Sequence, residues 1–252
     1  NQINCEMHSR VIDVSGSPEP LNDALYRYVM NTRKVHTDDT PAKVLAPGRK
    51  KAKTGRIWTY VRDDRNAGSS ELPAVWFAYS PDRQGKHPVQ HLRPFRGIRQ
   101  ADAFSGYDRL FSAEREGGAL TEVACWAHVW RKIHDVYISS KSTTAEEALK
   151  RISELYAIED EIRGLPESER LAARQQRSKA LLTSLHEWME ENNGTLSKKS
   201  RLGEAFSYVL NQWDALCYYS DDGLAEVDNN TAERALRAVC LGKKNLMTFV
   251  KY

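Results

Sequence analysis

The sequence predicts an α/β domain, and three observations predict it. Three extended apolar segments follow one another near the N-terminus, short strands alternate with helical segments after Pro81, and a long, charged helical block begins near Thr143. Consecutive strands followed by alternating strand and helix give a mixed sheet with helices packed on it. Residues 19–30 carry Leu21, Ala24, Leu25, Tyr28 and Val29 at three-to-four spacing and read as an amphipathic helix leading into the sheet. Lys34 to Leu45, Arg56 to Arg62 and Ala74 to Tyr79 then read as an antiparallel meander. The stretches between them, Pro47 to Gly55 and Asn66 to Ser70, have the glycine and turn chemistry of hairpin loops.

Beyond Pro81 the period changes. His87 to Phe95 reads as a helix, Gly97 to Ala101 as a short strand, Ala103 to Phe111 as a helix, Glu122 to Trp126 as a buried strand and Ala127 to Tyr137 as the helix entered from it. Thr143 to Gly164, Pro166 to Asn192 and Arg201 to Tyr218 form the helical block, with Thr144-Ala-Glu-Glu resembling a capping box. Its leucine and isoleucine stripes are core, and the charged residues between them are expected in solvent. Leu224 to Val227 reads as a short strand or an extended lead, and Asp228 to Leu241 as a last helix capped by Asp228 or Asn229.

Composition narrows the function. With 252 residues, 40% hydrophobic and 28% charged, the chain can bury a core and is not a disordered or fibrous protein. A net charge of +3 is too small for a protein that wraps nucleic acid by bulk charge alone, so charge must be read locally. No apolar run approaches the roughly 20 residues of a membrane span, and the N-terminus lacks a secretory pattern, which favours the cytoplasm. Cys5, Cys125, Cys217 and Cys240 are dispersed and read as buried thiols rather than a disulfide framework. Cys125-x-x-His128 with His134 lacks the second pair that a structural zinc site needs. There is no phosphate-binding loop, dinucleotide fingerprint or serine-protease context, so no nucleotide cofactor is expected.

Carboxylates remain. Asp38 and Asp39 close one strand-like run, Asp102 closes another, and Glu233 lies in the first turns of the last helix. Singly, each has an ordinary reading: a turn residue, a helix cap and a first-turn acid favoured by the helix dipole. Together, three carboxylates from separate elements match the oxygen ligands that Mg²⁺ or Mn²⁺ prefers, and two such ions about 3.5–4 Å apart activate the attacking and leaving oxygens of a phosphodiester. His128, Arg131 and Lys132 share a helix face, and Asn230, Arg234, Arg237, Lys243 and Lys244 surround the last acid. These are candidates for DNA phosphate contacts, with helix capping or a solvated face as the alternative for each.

Four strings in order, His36-Thr-Asp-Asp-Thr-Pro, Ala101-Asp-Ala-Phe-Ser-Gly-Tyr107, Cys125-Trp-Ala-His-Val-Trp-Arg-Lys132 and Asp228-Asn-Asn-Thr-Ala-Glu-Arg234, resemble the catalytic domain of insertion sequence 66 family transposases. The resemblance extends from about Leu21 to Phe249. It implies a ribonuclease-H-like mixed sheet with flanking helices and an all-helical insertion before the last acid. It also implies a DDE triad, Asp38, Asp102 and Glu233, that cleaves and joins DNA with two Mg²⁺ or Mn²⁺ ions. The spacings are 102 − 38 = 64 and 233 − 102 = 131 residues, and Asp39 stands where the family often has Glu. The implied division is a helical lead-in over 1–33, a core over 34–142, an insertion over 143–220 and a core helix over 221–252. The implied partners are transposon ends and target DNA, a second copy at synapsis, and the bacterial nucleoid, with no membrane. Relative to full-length members, the chain is expected to be truncated at both ends. Two other readings share the same residues: a nuclease of this fold that only hydrolyses, and an inactive remnant that binds DNA.

Overall fold

A computed structural model describes residues 19–44, 52–197 and 199–249, the side chains as far as residue 241. The loop expected over Pro47 to Gly55 lies largely outside the described residues, as do Cys5 and the side chains of Lys243 and Lys244. Helix α1 (Glu19–Met30) leads into strands β1 (Lys34–Val44), β2 (Lys53–Arg62) and β3 (Ala74–Ser80). Helix α2 (Lys86–His91), β4 (Ile98–Gln100), a 3-10 turn (Ser105–Leu110), β5 (Thr121–Val123) and α3 (Trp126–Ser140) follow. The sheet order is β3-β2-β1-β4-β5, antiparallel among the first three strands and parallel from β1 to β4 to β5. This mixed sheet with flanking helices is consistent with a ribonuclease-H-like fold.

The helical block comprises α4 (Thr143–Glu161), α5 (Glu167–Ala173), α6 (Lys179–Thr195), α7 (Arg201–Asn211) and α8 (Trp213–Cys217). A π turn at Arg174–Ser178 joins α5 to α6 into one rod, and a last helix, α9 (Asn230–Phe249), closes the chain. The cap of α4 is Ser142, whose hydroxyl accepts the Ala145 N–H at 3.3 Å, two residues before the Thr144 start expected. The helix expected at Ala103 to Phe111 is only a 3-10 turn, started at Phe104 without a side-chain cap. Leu224 to Val227 forms no strand; it is a bent, buried connector. Among the described residues no helix is long and apolar enough to cross a membrane.

Two cores flank the sheet. One gathers Val29, Val35, Trp58, Tyr60, Leu92, Phe95 and Leu110 beneath α1 and α2. The other gathers Ile98, Val123, Trp126, Ile133, Ile152, Leu185 and Phe206 beneath α3 and the helical block. Gly97 lets β4 begin against β1: its φ is +125°, and a Cβ there would stand 2.3 Å from the Arg33 carbonyl oxygen, which accepts the Ile98 N–H at 2.8 Å.

The charged residues of the block are not all in solvent, contrary to the sequence expectation. Arg170 and Arg174, four apart on one helix face, are buried with Glu159, Glu226 and Lys34. Arg174 grips Glu159 through Nε and Nη2 at 2.8 and 2.6 Å and donates Nη1 to the carbonyls of Tyr219, Asp222 and Ala225. Arg170 reaches Glu226 at 3.2 Å and Glu159 at 3.6 Å. From β1, Lys34 reaches Glu226 at 3.4 Å, Asp64 at 3.3 Å and the Leu224 carbonyl at 3.0 Å. Three cations meet three carboxylates, so the charge cancels where water is excluded. Burial works against ionised Glu226, but Lys34 and Arg170 outweigh it and hold the carboxyl down at about 2.

Arg174→Met strands Glu159 without its main partner and is expected to cost about 3–5 kcal/mol, with the double change Arg174→Met and Glu159→Leu recovering most of it. Urea unfolding of the three proteins checks this. Because the Glu226 carboxyl is depressed in the fold, its contribution is fully present above its ordinary value of 4.5 and is lost as pH falls from there toward about 2. Urea midpoints of Glu226→Gln should therefore fall less steeply than wild type across that window.

Candidate active site

The site lies where β4 ends while β1 continues. The parallel register pairs His36 with Gln100, the last residue of β4. Asp38 and Asp102 each stand two residues beyond that pair, so the chain presents them on neighbouring backbones at the same end of the sheet. Asp38 is thus a mid-strand residue rather than a strand end or turn, and Asp102 is not a helix cap, since the following 3-10 turn starts at Phe104.

Period-two alternation separates the two adjacent acids. Lys34, His36 and Asp38 face the connector and α9, whereas Val35, Thr37 and Asp39 face the other side. Asp39 is clamped there: Arg83 bonds it at 2.8 and 3.0 Å and Arg56 at 3.0 Å, and its side chain is 1% exposed. Among the described residues Asp38 has no ion pair and accepts only the Asp39 N–H, at 2.7 Å. Burial pushes its carboxyl up to about 7; the Asp39 N–H pulls the other way, and repulsion from Asp102, Asp39 and Glu233 adds to the rise.

Helix α9 is docked on this face by side chains that sequence reasoning assigned to capping or left unread. Asn229 donates Nδ2–H to the Thr37 carbonyl at 2.9 Å, so its Oδ1 faces His36 Nδ1 at 3.0 Å. Burial and nearby Lys34 hold the His36 imidazole down at about 3, so it is neutral, and its Nε2 has no partner among the described residues. The Asn229 N–H reaches the Cys125 sulfur at 3.2 Å. Gln100 clamps the connector, accepting the Glu226 N–H at 2.9 Å and donating to the carbonyls of Glu226 and Asp228. Asn229 holds the cap position of α9, its carbonyl accepting the Ala232 and Glu233 N–H at 3.1 and 3.3 Å, while Asp228 takes the Asn230 N–H at 3.0 Å and its side-chain amide at 2.7 Å. Little in the sequence marks Asn229 or Gln100 as docking residues, because their partners are more than 100 positions away.

Glu233 stands in the first turn of α9, close enough for its charge to act on Asp38. Its carboxylate is bound by Arg131 of α3, and His128 Nδ1 lies 3.9 Å from the same oxygen. Lys132 turns instead over the Tyr208 ring at 4.5 Å. Arg234 and Arg237 are exposed, Arg234 donating to the Thr231 hydroxyl at 3.0 Å, while Asn230 is engaged by Asp228. His134 stacks on Trp130 at 4.5 Å, and Cys125 is a free buried thiol.

The donor chemistry would suit a hard divalent cation, since the charges of Asp102 and Glu233 repel that of Asp38. The side chains as they stand do not complete a ligand set: among the described residues no three acidic, imidazole or thiol groups are gathered to hold an ion. Asp38 and Asp102 would be its holders, while Glu233 is committed to Arg131.

Replacement of the two adjacent acids should separate their roles. Asp38→Asn removes a carboxylate that the fold disfavours, since its raised pKa means stability falls as pH climbs from about 4 to 7. Its melting temperature at pH 8 should rise by a few degrees. Asp39→Asn breaks a buried clamp and should cost about 1–2 kcal/mol. Thermal unfolding at pH 5 and pH 8 checks both, with the Asp38→Asn gain shrinking at the lower pH.

The profile of the transposase IS66 family matches residues 5–251. Three similar proteins, all of Sinorhizobium fredii (strain NBRC 101917 / NGR234), are named only as uncharacterized proteins. The one named y4hP is 38% identical over 238 residues, covering 90% of this chain and 43% of y4hP. The second, y4qI, is 36% identical over 228 residues, covering 89% and 42%; the third, y4jD, is 33% identical over 231, covering 91% and 45%. The chain spans less than half the length of each of these relatives. With the family match running over nearly all of its residues, the chain belongs to the IS66 family of transposases.

Proposed function

We propose that this chain is the catalytic domain of a DDE-type transposase, with Asp38, Asp102 and Glu233 as its acids. The observation that carries this reading is the register: Asp38 and Asp102 stand side by side beyond the His36–Gln100 pair, on the face over which α9 brings Glu233. Asp38 is partly buried and has no cation beside it among the described residues, which is costly to the fold and is explained if a positive charge is recruited there. One or two Mg²⁺ or Mn²⁺ ions held by these acids would polarise the phosphodiester and lower the pKa of the attacking hydroxyl.

The chain's own residues supply position and charge. The Asp39 clamp by Arg56 and Arg83 fixes the β1 backbone that carries Asp38, and Gln100 fixes the connector that carries α9. Arg131, Lys132, Arg234, Arg237, Lys243 and Lys244, with His128 and Asn230, are the groups assigned to DNA phosphates around the acids. Water attacks the phosphorus and the 3′ oxygen leaves, taking a proton; the freed 3′-hydroxyl then attacks a target phosphodiester and expels its 3′ oxygen, so no covalent protein–DNA bond is needed. In this reading residues 34–142 and 221–252 are the ribonuclease-H-like core, 1–33 its helical lead-in, and 143–220 a helical insertion between core helices. Transposon ends and target DNA are the substrates, a second copy joins at synapsis, and the site of action is the cytoplasmic nucleoid.

Incubation with Mn²⁺ and DNA carrying the ends of the element that encodes the chain tests the reading. Joined products are expected, and each of Asp38→Asn, Asp102→Asn and Glu233→Gln should reduce them by at least 100-fold. Nicks without joining would identify a nuclease, and DNA binding without either an inactive remnant.

A further inference from the structure

The contact between Arg131 and Glu233 joins helices whose partners are 102 residues apart in sequence, at the rim of the acid cluster. Two features separate it from an ordinary surface ion pair. Among the described residues Asp38 has no ion pair and the Asp102 carboxylate accepts no hydrogen bond from a side chain, whereas neighbouring Asp39 has two arginines. The arginine that does reach the cluster takes the third acid. In addition, His128 Nδ1, buried and without a hydrogen-bond partner among the described residues, crowds the same Glu233 oxygen from α3.

We propose that Arg131 is a positioning residue, a built-in cation that holds Glu233 toward α3 and out of a shared ligand set until the guanidinium transfers to a DNA phosphate. The inference rests on the functional reading above and explains why the three acids do not form a complete ligand set in the free chain. Arg131 is suited to the exchange. Its side chain is 48% exposed, so DNA can reach it, and its remaining bond is to the Ala127 carbonyl of its own helix at 3.2 Å. A guanidinium binds phosphate through two parallel hydrogen bonds, which compensates for the carboxylate it leaves. Divalent cation and Arg131 then compete for Glu233, while DNA and cation assist each other.

Mn²⁺ titration of the 252-residue chain without DNA, read by calorimetry, tests the competition. Arg131→Gln should bind Mn²⁺ about three- to fivefold more tightly than wild type, the range an exposed ion pair withholds. Arg131→Met should do the same, and Glu233→Gln should abolish the gain. Equal or weaker binding by both Arg131 variants, with Glu233→Gln still weakening Mn²⁺ binding, would overturn the latch and leave the acid triad standing. No effect of Glu233→Gln in either background would overturn the triad and the latch together. In EDTA, Glu233→Gln should tighten binding of a DNA duplex more in the wild-type background than in Arg131→Gln. Equal tightening in both would overturn the transfer to phosphate.

Discussion

The buried charge network around Arg170, Arg174 and Lys34 is the constraint on which the rest of the structure depends. It draws together β1, the α5–α6 rod and the connector before α9, whose residues Lys34 and Glu226 are 192 positions apart. A hydrophobic core of leucines can slide; the Arg174 guanidinium, which must meet the Glu159 carboxylate and three carbonyls at once, has one arrangement that satisfies it. The network is a weak source of net stability, because desolvating six charged groups offsets most of their attraction. Its consequence is registration: with Glu226 pinned, Asn229 falls on Thr37 and His36, and the first turn of α9 falls above the end of β4.

From that registration the site follows by simple geometry. The short β4 stops at Gln100 and leaves β1 to run on paired with β2, so the sheet opens a step on the β4 side, with Asp38 and Asp102 each two residues beyond the last β1–β4 pair. Alternation along β1 then assigns the adjacent acids opposite fates. Asp39 turns to the face where Arg56 and Arg83 neutralise it and becomes part of the scaffold. Asp38 turns to the face of α9, where no cation meets it among the described residues, and its carboxyl is pushed up. Lys34, Glu159, Arg170, Arg174 and Glu226 are buried with opposite charges beside them, whereas partly buried Asp38 has none among the described residues, an arrangement that suits the proposed chemical role.

Much of this was legible in the residues, because short-range rules carried it. Apolar periodicity located the meander, the βα units and the helical block, and spacing put acids near the ends of β4 and α9. What was not legible depended on long-range partners. Glu159, Arg170 and Arg174 lie between leucine stripes and read as a solvated face; only the approach of Glu226 and the connector carbonyls buries them. Asn229 has the chemistry of a cap and holds the cap position, but its side chain is spent on holding the helix to β1. The alternation that separates Asp38 from Asp39 follows from the extended Lys34 to Leu45 segment, but which face would be neutralised does not. The two partners of Asp39, Arg83 and Arg56, come from 44 and 17 positions away. The pairing of Arg131 with Glu233 had no local signal, since both residues fit a basic or acidic rim equally well.

The central claim is that one face of the β1–β4 step, closed by α9, is a cation site that is incomplete only because Arg131 holds Glu233. Crystals grown with Mn²⁺ and examined by anomalous scattering test it most directly. The account predicts a peak between the Asp38 and Asp102 carboxylates, with Glu233 turned from Arg131 toward the ion. A peak bound elsewhere, or none at this step while the fold and the Arg131–Glu233 pair stay intact, would contradict it.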